Sequence, residues 1–413
     1  MEYWTKEEAR QYLVAYHGFN AFPKGPKGIL SVFDRLKTIQ IDPVNICGRN
    51  HELVLQSRVP EFTPDMLYDQ LYQKRTLIEG WEKQAAIYRM EDWPYFQRRR
   101  KEYAHYIETH NRGKAIKNVL PKVKTEIGER GPLDSTQIEH DEVIDWHWAP
   151  AKAARAALDA LMDMGELVIT NRNNNRKVYD LAERIIPPPI YTTKEPHPDD
   201  YEYDVYRILR RVKTVGMVWA KSGGAWLDTT GAKPRQSILN ELCEKDDIIP
   251  IRVEGISSIC YIPANARNLR AAKTPETTTV FLAPLDNMIW DRKFIKELFG
   301  FDYVWEVYKP ADTRQYGHYV LPVLSGNRFI GRLEPVLHRN PEKTVTGYRR
   351  KRFEGPVLEI KNWWVEEGIE LDEEQTAELC NAIAKFGRFL GSEYILSKNK
   401  EIKILIDKIT AGK

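Results

Sequence analysis

The stretch Gln40-Ile41-Asp42 sets an amide and a carboxylate two residues apart, interleaved with Ile39 and Ile41. In an extended segment the two polar side chains point to one side and the two isoleucines to the other. A carboxylate so placed can take a proton from water or stabilise a developing positive charge, and an amide, both donor and acceptor, can hold that water beside it. Arg49, Asn50, His51 and Arg58 follow closely, and the basic ones would surround the carboxylate with positive charge. Such an arrangement is an odd thing to build for solubility alone. Asp42-Pro43 is also an ordinary helix start, with Asp as N-cap and Pro at the first helical position. The two readings are compatible, since an N-cap aspartate can still face a cleft.

The elements that must position this stretch begin with a helix over 5–17, opened by Thr5 and Glu8 as a capping box, and a second over 31–36, joined by the Gly- and Pro-rich segment 18–28. Thr63-Pro64-Asp65 starts a further helix through Leu71, 76–81 is a short strand, and long charged helices fill 91–109 and 114–129. After Gly131 a helix opened by Pro132-Leu133-Asp134-Ser135, an alanine-rich helix over 151–161 and strands at 165–170 and 176–181 follow the order of a winged helix, or of a plain helix-plus-hairpin packing module. Ile185-Ile186-Pro187-Pro188-Pro189 makes a stiff linker. The same order then returns: helices over 200–212, near Ala220 and over 235–244, and strands at 248–251 and 258–262. Residues 161–168 and 242–249 occupy matching places, an internal repeat. Beyond Thr279 the chain turns β-rich, with strands at 303–308, 316–324, 328–334 and 357–364 and a closing helix over 372–390 that fit a small half-open barrel. The expected fold is therefore α+β: three tandem winged-helix units over 1–130, 131–195 and 196–273, followed by a C-terminal β-barrel-like domain over 274–413.

A chain of 413 residues is too long for one core, and 42% hydrophobic with 29% charged residues is a folded soluble composition. No apolar run is long enough to span a bilayer, and the N-terminus lacks the pattern of a signal peptide. Cytoplasmic residence is expected. Cys47, Cys243, Cys260 and Cys380 lie far apart with no C-x-x-C pair, which argues against zinc, iron–sulfur clusters and disulfides. The net charge of +3 does not argue for a polyanion partner, but its distribution does. Residues 89–130 hold eleven Lys/Arg against six Asp/Glu, residues 332–352 seven against two, and 366–378 seven acids with no base.

Taken together, Gln40-Ile41-Asp42 with Arg49, His51, Leu53-Val54-Leu55 and Ser57-Arg58, then Asp286 with Trp290-Asp291-Arg292, Phe299-Gly300-Phe301-Asp302-Tyr303, Arg314 with Tyr316-Gly317 and Tyr319-Val320-Leu321-Pro322, and Gly331-Arg332, resemble the YcaQ/AlkZ-like family of bacterial winged-helix DNA glycosylases. The likeness covers nearly the whole chain in the right order. It implies three tandem winged-helix units and a C-terminal barrel enclosing duplex DNA, and monofunctional excision of N7- or N3-alkylated purines, including bases in interstrand crosslinks. The family's Gln-aliphatic-Asp pair falls on Gln40 and Asp42, and no cofactor or metal is implied. The chain departs from the pattern at Trp81-Glu82-Lys83-Gln84 and at Glu334 and Val336.

On this reading the partner is double-stranded DNA carrying alkylated purines, in a nucleoid-associated cytoplasmic protein with no membrane association and no obligate protein partner. Arg49, Arg58, Lys83, Arg292, Arg314 and Arg332 would hold phosphates, His51 likewise, with Asn50 and Trp81 beside them; each cation is equally suited to a structural salt bridge. Tandem winged helices also suit a non-catalytic transcriptional regulator or a protein-docking scaffold.

Overall fold

The computed structural model describes residues 1–139, 142–146, 150–272, 278–341, 353–400, 402–404 and 406. The basic cluster expected from Lys343 and Arg349 to Arg352 lies outside them. The chain forms two compact units, one of residues 1–64 and 204–413 and the other of 65–203. Among the described residues no helix is long and apolar enough to cross a membrane.

In the first unit the helix Lys6–His17 opens as its sequence requires: Thr5 accepts the Glu8 N–H, Glu8 accepts the Thr5 N–H, and Gly18 closes it in the left-handed region at φ 58°. The strand Glu2–Trp4 pairs in parallel with Ile248–Val253, followed in the sheet by Cys260–Pro263 and Val218–Trp219. Ile208, Val212, Leu239, Leu242, Ile248 and Tyr261 form the core beneath that sheet.

A second sheet runs Thr279–Phe281, Leu321–Ser325, Arg328–His338, Val357–Val365, Tyr394–Ser397. It is antiparallel except for its last pair, and the helix Glu373–Phe389 seals it through Phe386 against Phe281, ring centroids 5.2 Å apart. The register slips between Glu334 and Pro335, where proline has no N–H to give the ladder. Strands were expected at 303–308 and from 316, yet residues 301–320 form a loop. The cause is Glu306, whose carboxylate accepts the backbone N–H groups of Gln315, Tyr316 and Gly317 that a ladder would have used.

In the second unit the hairpin Leu77–Trp81 with Ala85–Arg89 is followed by the helices Gln97–Thr109, Asn111–Ile116 and Leu120–Arg130. Pro94 lies in a tighter turn of helix, Met90–Phe96, so the single helix expected over 91–109 begins only at Gln97. Leu133–Asp134 is a strand, not a helix start, because Asp134 accepts from the N–H and hydroxyl of Thr136 and turns the chain. The stiff linker at 185–189 is also corrected: the chain there makes two short helices, Ala182–Ile185 and Pro188–Tyr191.

The expected repeat is present as topology. Helix Leu120–Arg130, strand Leu133–Asp134, helix Ala153–Asp163 and hairpin Leu167–Asn173 with Arg176–Leu181 match, in order, helix Asp200–Val215, strand Val218–Trp219, helix Ala232–Glu244 and hairpin Ile248–Val253 with Cys260–Pro263. In both sets the short strand pairs with the second strand of the hairpin.

The first unit is joined internally by a buried ion pair. Arg58, one of the cations expected on DNA, is 0% exposed and grips Asp286 with both guanidinium nitrogens, at 2.7 and 2.8 Å. It is a folding residue, held further by the Val54 carbonyl and by the ring of Phe19 beneath it at 4.6 Å. The His17 Nε2 lies 3.0 Å from the Val215 carbonyl, which can only accept, so Nε2 carries the proton and Nδ1 accepts from Arg58. Burial and the neighbouring guanidinium hold the His17 imidazole down at about 3, well below the usual histidine value.

Removing one partner of such a pair leaves a buried charge uncompensated, at about 3–5 kcal/mol. Asp286→Ala is therefore expected to lower the thermal midpoint far more than an exposed-carboxylate substitution such as Asp302→Ala, in calorimetric melts. The neutral His17 adds stability above the ordinary histidine value of about 6.5 that is lost as pH falls toward about 3. Melts of His17→Gln should accordingly depend less on pH over that window.

Candidate active site

The strand Thr38–Gln40 is buried throughout and is held by its carbonyls. Asn287 donates to the Thr38 carbonyl at 2.7 Å, and Asn50 donates to the Gln40 carbonyl at 2.8 Å while accepting the Leu285 N–H at 3.0 Å. Asp286, between those residues, is the partner of Arg58 and also caps the turn at Asn287–Ile289 through the Met288 N–H. The ion pair and the strand that leads to Asp42 are thus one bonded assembly.

Beyond Gln40 the chain turns without regular structure until the helix Asn50–Gln56. The helix start expected at Asp42-Pro43 is not formed: Asp42 Oδ1 instead accepts the Val44 N–H at 2.9 Å, a local turn. The true cap is at Arg49, where Glu52 accepts the Arg49 N–H at 2.8 Å. Leu337 donates its N–H to the Ile46 carbonyl at 3.0 Å, and Asn45 accepts from Gly48 and Arg339 at 3.2 Å each. Gly48 sits at φ 110°, a conformation other residues rarely take. The segment is irregular but fixed at several points.

Gln40 and Asp42 are each 9% exposed. Burial raises the Asp42 carboxyl above the ordinary aspartate value, and the single Val44 N–H pulls it only part of the way back. The expected ring of positive charge is therefore corrected, since desolvation sets this carboxylate. Arg49 pairs with Glu52 at 3.0 Å, Arg58 with Asp286, and Arg332 with Glu366 at 2.6 Å while stacked between Phe301 and Tyr316. Asn50 and His51 are buried, as are the next four residues of their helix, and Asn50 works as the strand clamp. Arg292, over the Tyr303 ring, and Arg314, which donates to the Lys309 carbonyl at 2.9 Å, are partly exposed. Trp81 and Lys83 belong to the other unit, where Arg99 lies over the Trp81 ring and Lys83 is buried.

Sequence reasoning missed the clamp formed by Asn50 and Asn287. Its signal was available as a polar pair, Asp286-Asn287, set between Leu282-Ala283-Pro284-Leu285 and Met288-Ile289-Trp290. Buried amides in such a setting are there to bond backbone.

The fold is similar to that of the Streptomyces sahachiroi DNA glycosylase AlkZ, at 13% identity with a TM-score of 0.60, covering 96% of this chain and 100% of that one. The family model for AlkZ-like DNA glycosylases matches residues 33–389. The chain belongs to that family.

A carboxyl whose value is raised in the folded state binds its proton more tightly there than in the unfolded chain, so the stability it gives is greatest in acid and is lost as pH rises through the raised value. Asp42→Asn keeps an oxygen for the Val44 N–H and removes the buried charge. It should melt at the same temperature as the wild type or higher at pH 8, with the difference shrinking as the pH is lowered and the Asp42 carboxyl takes up its proton.

Proposed function

We propose that the protein is a monofunctional glycosylase that hydrolyses the N-glycosidic bond of N7- or N3-alkylated purines in duplex DNA, bulky adducts and interstrand crosslinks included, with Asp42 and Gln40 at the reaction centre. The observation that carries this reading is the desolvated carboxylate of Asp42, two residues after Gln40 in a chain that belongs to the AlkZ-like DNA glycosylase family. A cationic alkylpurine departs with the C1′–N bonding pair as a neutral base, leaving an electron-poor sugar. A carboxylate deprived of water stabilises that charge more strongly than one in solvent, because the local dielectric is lower. Asp42 then takes the proton of the water that adds to C1′, and Gln40 orients that water. Neither step needs a metal or a covalent intermediate.

The two matched helix–strand–helix–hairpin sets support the winged-helix reading of the DNA-binding scaffold. Arg292 and Arg314 are the partly exposed cations of the first unit best suited to phosphate contacts.

The test is base release from a duplex containing 7-methylguanine under single-turnover conditions. If the carboxylate supplies about 4 kcal/mol to the transition state, Asp42→Asn slows release by roughly a thousandfold. Gln40→Ala should slow it less, and duplex binding should survive in both. Retention of duplex without base release by the wild type would instead mark a DNA-binding regulator. Because Asp42 must be ionised to act and its value is raised, the acidic limb of the rate profile should lie above the ordinary aspartate value of about 3.9.

A further inference from the structure

A cavity of about 610 Å³ opens within the first unit, among the helices Lys6–His17, Gly25–Leu36 and Asp200–Val215 and the tight helical turn Ala264–Ala271. No step of the excision scheme uses it. Among the described residues that line it, Arg35, Lys37 and Lys213 are cations and Asp34 is the one acid, while Asn265 and Asn268 add two amides. Lys37 runs directly into the strand Thr38–Gln40, but neither Gln40 nor Asp42 lines the cavity.

Two of the cations are brought together by one ring. The hydroxyl of the buried Tyr16 lies 2.5 Å from the Lys213 carbonyl and 3.5 Å from that of Arg35, so the two side chains leave from neighbouring backbone. Arg35 donates through one terminal nitrogen to the Tyr16 carbonyl at 3.3 Å and lies over the Phe22 ring at 5.0 Å. That fixes the guanidinium at the wall and leaves its other nitrogens for a guest. Arg58, Arg270 and Arg332 of the same unit each hold a carboxylate. Arg35 and Lys213 hold none among the described residues, and the Lys213 ammonium makes no hydrogen bond there either. Like charges gathered beside one cavity repel, and an anion inside it removes the repulsion.

The donors select the kind of anion. A phosphate group offers three acceptor oxygens and up to two negative charges, and the planar guanidinium fork meets two of those oxygens at once while an ammonium serves as a point charge. The volume exceeds that of a bare ion and falls in the range of sites for small organic ligands. Asn265 and Asn268 can donate to and accept from the polar groups that such a phosphate carries. We propose that this cavity binds a phosphate ester, with Arg35 and Lys213 on the phosphate. A free nucleotide and the backbone of a DNA strand share that chemistry, and the site does not depend on the glycosylase reading.

The experiment titrates the full chain calorimetrically, in low salt, with deoxyguanosine monophosphate and with deoxyguanosine. The nucleotide should bind about tenfold more tightly than the nucleoside, and Lys213→Gln and Arg35→Gln should each weaken it about tenfold, the scale of one lost hydrogen bond to a charged group. Lys213→Gln should melt as the wild type does, because its ammonium bonds no other described residue, so that its loss of binding is not a loss of fold. In parallel, affinity for an unmodified duplex is measured against salt. If the phosphate belongs to a DNA strand, the nucleotide binds weakly, and the slope of log affinity against log salt becomes shallower by about 0.9 in Lys213→Gln. The proposal is overturned if that slope is unchanged in both variants while the nucleotide binds no better than the nucleoside, or binds both variants as well as the wild type. Neither arm measures base release, so each outcome is readable whether or not the excision reaction is found.

Discussion

The first unit depends on one contact, the bidentate pair between Arg58 and Asp286 with no exposure on either side chain. Two charges taken out of water are costly, and they persist only where geometry and further hydrogen bonds compensate. Here the compensation is visible: His17, Ser57 and the Val54 carbonyl accept further bonds from the two terminal guanidinium nitrogens, and the Met288 N–H shares the carboxylate. The pair joins the end of the helix Lys6–His17, the turn after Asn50–Gln56 and the segment 285–291. Two of those pieces, through Asn50 and Asn287, hold the carbonyls of the strand Thr38–Gln40 that leads to Asp42.

Desolvation then carries through to chemistry. A carboxylate on a loose surface loop would be hydrated, and its field would be screened. Held by Asn50, Asn287 and the turn to Val44, Asp42 is kept nearly out of water, at the cost of a raised proton affinity. That cost is the counterpart of its usefulness, because a carboxylate poorly served by water gains most from a neighbouring cation. In the proposed reaction the cation is supplied by the substrate, first as the alkylated base and then as the sugar.

Much of this was legible in the sequence where local rules decide. The capping box at Thr5 and Glu8, the repeat of helix and hairpin, and the strands after Leu321 follow from periodicity and turn chemistry, which act over a few residues. The errors share a cause of the opposite kind. Arg58 was read as a DNA contact because its partner Asp286 lies 228 positions away. The loop over 301–320 was read as strands because its alternation is real but its N–H groups are claimed by Glu306. Asp42-Pro43 has the composition of a helix start, yet Asp42 bonds Val44 and the cap falls at Arg49. Gln40 and Asp42 are candidates by their types and spacing, whereas the burial that raises the Asp42 carboxyl is a property of the assembled unit.

The claim that the buried assembly exists to hold Asp42 can be tested without touching the reaction centre. The variant Asn287→Ala removes only the donor to the Thr38 carbonyl, a bond whose loss is worth about 1–3 kcal/mol when it leaves a buried group unpaired. Its single-turnover rate of base release from a 7-methylguanine duplex should be measured at a temperature where melts show it folded. The account predicts a rate at least tenfold below wild type with duplex affinity unchanged. An unaltered rate in the folded variant would contradict it.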